Sequence, residues 1–72
     1  MSSLQSRLLN AHALDDIEEL VSLYTEAADT AAKEDARGFY LTHAYIYALE
    51  AGLNTAEDLR RRLIAMGRET PL

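Results

Sequence analysis

Cysteine is absent from this sequence, which removes disulfide staples, thiolate metal ligands and thiol nucleophiles together. Proline occurs once, at Pro71, and glycine only at Gly38, Gly52 and Gly67, so the turn residues that punctuate strands and hairpins are missing. No stretch approaches the ~18 apolar residues of a membrane span, and Met1 to Arg7 lacks the apolar core of a secretory signal. A cytoplasmic protein with no membrane partner is the expectation. Basic charge is scarce too. Against 12 Asp and Glu stand 7 Lys and Arg, a formal charge of -5 that repels a phosphate backbone, so nucleic acid is not an expected partner.

What the sequence does hold is apolar residues, 49% of 72, in helical rather than alternating patterns. That is too much patterned apolar content for a disordered chain and too little length for two cores. The expectation is one all-α domain over 1–72, a small antiparallel helical bundle of three to four helices. A chain this short buries only roughly 60% of the surface its unfolded form exposes. With no staple available, a second subunit or another protein is expected to supply part of the stability.

The spacing predicts helices over about 3–10, 15–33, 36–51 and 55–66, with a frayed tail over 68–72. Ser2 with Gln5 and Asp15 with Glu18 have the spacing of capping boxes, as do Asn54 with Glu57 and Thr55 with Asp58. In the first helix Leu4, Leu8 and Ala11 share a face. In the second, Leu14, Ile17, Val21, Tyr24, Ala28 and Ala31 form a seam that Leu20 and Ala27 widen, with Leu23 off it. Lys33-Glu34-Asp35 is read as a turn rather than a kink in one long helix, because the apolar phase changes after it.

The third helix has apolar side chains nearly all round, the mark of a helix buried on more than one side. Ala44, Ala48 and Ala51 form a smooth strip for close packing, and Phe39, Ile46 and Leu49 a bulkier strip expected in the core. Gly52 is expected to end this helix in a left-handed cap that Leu53 covers. In the fourth helix Ala56, Leu59, Leu63 and Met66 make one narrow stripe that Gly67 ends.

One group has chemical potential. Tyr40, His43, Tyr47 and Glu50 recur at 3, 4, 3 and so lie along one side of the third helix. A His and an acid on one side can share a proton or hold a metal, but a metal needs further ligands and His12 is the only other imidazole. Polar-tipped rings at helical spacing are commoner as packing or interface residues, so these four are candidates for an interface or a small-ligand stripe. Tyr24, Ala44, Ala48 and Ala51 are candidates for packing or interface. His12 is read as a linker residue. No serine or threonine stands in a nucleophile context, so no catalytic residue, no metal ligand and no cofactor is assigned. Arg60-Arg61-Arg62 follows Glu57 and Asp58 at four-residue spacings, so its charge is expected to be balanced locally.

The string Tyr40-x-x-His43-Ala44-x-x-Tyr47, with Ala56 and Leu63 beyond it, resembles the small-and-aromatic pattern of a tetratricopeptide helix pair. It departs from that family at its glycine, at the aromatic expected where Arg60 stands and at the closing proline, and only one unit is present. The resemblance implies an antiparallel helix hairpin that binds protein, and it assigns no functional residue. The expected function is a non-enzymatic protein-interaction or scaffold module, a homo-oligomer, most simply a dimer, associating through apolar helix faces. The alternative is a helical bundle that binds a small ligand or metal at the Tyr/His/Tyr/Glu stripe.

Overall fold

The computed structural model describes residues 3–68. Four helices occupy nearly all of them: α1 (Leu4–Leu14), α2 (Ile17–Thr30), α3 (Glu34–Ala51) and α4 (Thr55–Ala65). No strand occurs among the described residues, and no helix there is long and apolar enough to cross a membrane. The chain is an all-α bundle, as its patterning implied.

A few polar residues set where the helices start and stop. Ser3 caps α1, its Oγ accepting the Ser6 N–H at 3.1 Å, while Ser2 of the expected capping box lies outside the described residues. α1 runs four residues past the expected end at Asn10, through Leu14, and stops at Asp15 in the left-handed region (φ 55°). An aspartate tolerates that conformation because its side chain is short and polar. Asp15 therefore cannot open α2. That role falls to Asp16, whose carboxylate accepts the Glu19 N–H at 3.3 Å. α2 ends at Thr30, three residues early, because Ala31 is extended (φ -69°, ψ 133°), so α2 and α3 are separated by a turn. α3 starts two residues early, with Glu34 and Asp35 in its first turn, where the helix dipole favours acids. Its C-terminus follows expectation. Gly52 is left-handed (φ 67°), and the Leu53 N–H returns to the Ala48 carbonyl at 2.9 Å, fixing the reversal into α4.

α3 is the centre of the fold. Leu41, Ala44 and Ala48 on one of its sides are buried against Val21 and Ala28 of α2 and against Ala56, Leu59 and Leu63 of α4. A second cluster joins α1 to α2 through Ala11, Leu20 and Leu23, with Leu4, Leu8 and Ile17 packed around it. Among the described residues six of the twelve buried apolar ones are alanine, so the helices approach closely but each contact buries little apolar area. Burial alone gives this core a thin margin.

Four assignments on the apolar faces are corrected. Leu23, placed off the seam of α2, is only 1% exposed, because α1 packs on that side. Leu14 is no part of that seam; as the last residue of α1 it is 68% exposed. Phe39, Ile46 and Leu49, expected in the core, are 56%, 48% and 54% exposed. Both neighbours of α3 pack on its alanine side, where small residues admit a helix backbone, and no third helix covers the bulky side. Ala51 is also exposed, since it sits in the last turn of α3 where the chain reverses.

Ion pairs tie the ends together. Arg62, expected to pair with Asp58 on its own helix, reaches across to Asp29 of α2, and Arg61 takes Asp58 at 2.8 Å instead. Arg68, assigned to the frayed tail, is held in place: its N–H bonds the Leu63 carbonyl at 2.9 Å and its guanidinium bonds Asp35 at 3.0 Å. The same side chain lies over Gly38, where a Cβ would come within 2.0 Å of Arg68 Nε. The expected tail beyond it, 69–72, lies outside the described residues.

Candidate functional site

The 3, 4 spacing of Tyr40, His43 and Tyr47 turns all three toward α2, where one ring, Tyr24, meets them. Tyr24 stacks on His43 with centroids 5.2 Å apart and planes at 26°, and on Tyr47 at 5.8 Å and 22°. It lies tilted against Tyr40 at 6.3 Å. His12, read from the sequence as a linker residue, belongs to this cluster. It stands in the last turn of α1, meets Tyr24 edge-on at 5.9 Å and Tyr47 at 6.1 Å, and shares a 3.0 Å hydrogen bond between its Nε2 and the Tyr24 hydroxyl. The signal for it was present in the sequence, since His12 continues the Leu4–Leu8 spacing by one more turn. Ending α1 at Asn10 hid it.

Phe39 closes the other end, its ring 4.3 Å from that of His43. The His43 Nδ1–H donates to the Phe39 carbonyl one turn back at 2.9 Å, which fixes the tautomer and ties one ring nitrogen to the backbone. Glu50, the fourth member of the expected stripe, is exposed near the end of α3, a turn beyond Tyr47. The structure thus brings together Tyr24, Tyr40, His43 and Tyr47, adds His12, and leaves Glu50 aside.

This cluster joins α1, α2 and α3 through rings with polar tips. Its stacked and edge-on pairs are each worth about 0.5–1.5 kcal/mol beyond their area. No carboxylate faces His43 within it, and among the described residues no three His, Asp or Glu side chains are grouped to hold a metal ion. No buried polar side-chain atom there lacks a hydrogen-bond partner. The geometry is that of a packed aromatic ladder.

The Tyr24 hydroxyl is pushed above its ordinary pKa of 10.0, first by burial and then by repulsion from the Tyr47 and Tyr40 phenolates. Because the raised value belongs to the folded state, the fold holds that proton more tightly than the unfolded chain does. Stability is therefore expected to fall as pH rises past 10.0 toward the folded value. Urea unfolding at pH 9 and pH 11 measures this, and Tyr24→Phe is expected to shrink the difference between the two.

The exposed Phe39, Ile46 and Leu49 lie on the opposite side of α3 from the buried Leu41, Ala44 and Ala48, along about three turns. Fold and surface together define a small all-α domain with a half-buried aromatic ladder across α1, α2 and α3 and an exposed apolar ridge on α3. α3 and α4 do form an antiparallel hairpin. No family model matches this chain, and no curated protein or solved structure matches it either.

Proposed function

We propose that this chain is a small, non-enzymatic, cytoplasmic interaction module that associates with a second copy of itself through the outer side of α3. The observation that carries this reading is the row Phe39, Ile46 and Leu49, three large apolar side chains about half exposed on the side of α3 away from its buried Leu41, Ala44 and Ala48. Scattered exposed apolar residues need no explanation, but a row along one helix face is a surface made for contact. An antiparallel pairing of two α3 helices suits it. When Phe39 faces Leu49 of the partner subunit, Ile46 faces Thr42 of the partner subunit, and the contact is two-fold symmetric and closed. Such a contact also offers what an alanine-rich core of this size lacks, a further layer of burial.

The seam of α2 takes no part in this, because Val21 and Ala28 are consumed by the core and Tyr24 by the ladder. The ladder is read as packing, since its rings occupy one another's faces and one nitrogen of each histidine is already hydrogen-bonded. Light scattering on a sizing column tests the proposal. The natural chain is expected to run at twice its chain mass at micromolar concentration. Ile46→Asp combined with Leu49→Ser is expected to run as a monomer, with helicity unchanged because both positions are about half exposed within one subunit and stand outside the aromatic cluster. A natural chain that is monomeric at these concentrations would sink the reading.

A further inference from the structure

α2 and α4 both pack on α3, yet their backbones do not come into contact with each other. Between them, on the side of α3 away from the apolar ridge, runs a groove of about 680 Å³. We propose that this groove is the docking site for a short amphipathic helix of a partner protein, with apolar residues facing in and Lys or Arg along its flanks.

Shape selects a helix over a compact small molecule. The α2 wall is lined from Glu18 to Thr30, a run of about 18 Å at helical rise, and the α4 wall from Thr55 to Arg62. The two helices make an open trough, about three turns long on the α2 wall and two on the α4 wall, and an amphipathic helix laid in such a trough is a recurring recognition mode. Leu53 supplies apolar surface to it, with the nearly fully buried Val21 and Leu59 at its floor.

Charge selects the flanks. Glu18, Glu26, Asp29 and Asp58 line the groove, and Arg62 is the one basic residue lining it. Arg62 is bonded to Asp29, so it offsets a single carboxylate. Arg7 and Arg61, which pair with Glu26 and Asp58, do not line the groove. The lining therefore carries four carboxylates against one guanidinium, three of the four on the α2 wall, so a cationic helix meets a net negative groove, whereas the α3 ridge of a second copy does not match it. That ridge, made of Phe39, Ile46 and Leu49, offers no lysine or arginine to the groove's carboxylates, and Glu50 stands beside it. This proposal uses the opposite side of α3 from the self-association ridge and stands whether or not the chain dimerises.

The probe is a 14-residue synthetic helix with leucines at i, i+3/i+4 and i+7 and lysines on both flanks, compared with a twin carrying glutamate for lysine. Fluorescence anisotropy is expected to show the lysine peptide binding at least about tenfold tighter, with affinity falling as salt rises. Amide shifts are expected along the facing sides of α2 and α4. Glu18→Lys with Asp58→Lys, both exposed positions, is expected to cost at least about tenfold with helicity unchanged, and Arg62→Gln to tighten binding. Equal binding of the two peptides overturns the proposal, as do failure of both to bind, indifference to the Glu18 and Asp58 reversals, and shifts centred on Phe39 and Ile46.

Discussion

Ala48→Glu is expected to leave a chain with little helix at 25 °C and no cooperative thermal transition. Ala48 is 0% exposed, on the side of α3 that receives both α2 and α4. Glutamate there has no basic partner among the buried residues, since none of those is polar or charged. Burying an unpaired carboxylate costs several kcal/mol, and forcing extra methylenes into a filled site typically adds ~1–3 kcal/mol. A domain of this length has roughly 4–11 kcal/mol in total at ~0.05–0.15 kcal/mol per residue, and its alanine-rich core argues for the lower end. The neighbouring substitution is the control. Leu49→Glu puts the same charge on a residue 54% exposed, and its intrinsic effect on one subunit is expected within about 0.5 kcal/mol. Circular dichroism melts of the two variants, at concentrations where Leu49→Glu is monomeric, test the orientation of α3 directly. A folded Ala48→Glu beside an unfolded Leu49→Glu would mean that the helix faces the other way.

Leu23→Ala is expected to lower stability by about 2–5 kcal/mol, the range for removing a leucine from a packed interior. Leu23 is among the largest fully buried side chains and, with Leu20, forms the floor on which Ala11, Leu8 and Leu4 rest. α1, at 11 residues, is too short to persist in water without that floor. The loss should therefore be uneven, with amide exchange in α1 accelerating more than in α3 and His12 parting from the Tyr24 hydroxyl. Leu9→Ala on the same helix removes a side chain 64% exposed and is expected to change the urea midpoint little. Equal losses for the two would contradict the packing of α1 on α2.

The aromatic cluster shows where a reading of one helix stops. Tyr40, His43 and Tyr47 could be placed on one side of α3 from spacing alone, because helical periodicity is local. That the facing ring would be Tyr24, with His12 beyond it, depends on which side of α2 turns toward α3 and how far α1 runs. Glu50 obeyed the same spacing as the tyrosines and still fell outside, exposed in the last turn of α3. The Arg60–Arg62 run behaved likewise: local spacing offered Arg62 a partner in Asp58, and the fold gave it Asp29, which is distant in sequence and adjacent in space.

Local chemistry by itself determined that this chain is helical throughout, that Gly52 reverses it between α3 and α4, and that α3 lies at its centre. Those outcomes need only period, cap and composition, which neighbours in sequence define. Tertiary structure decided which side of α3 is inside. The bulky Phe39, Ile46 and Leu49 carry more apolar area than Ala44 and Ala48, so burial per residue favours them, yet the alanines are buried because they alone let two helices approach at once. The same choice opened the groove between α2 and α4, whose lining brings together residues of two helices distant in sequence.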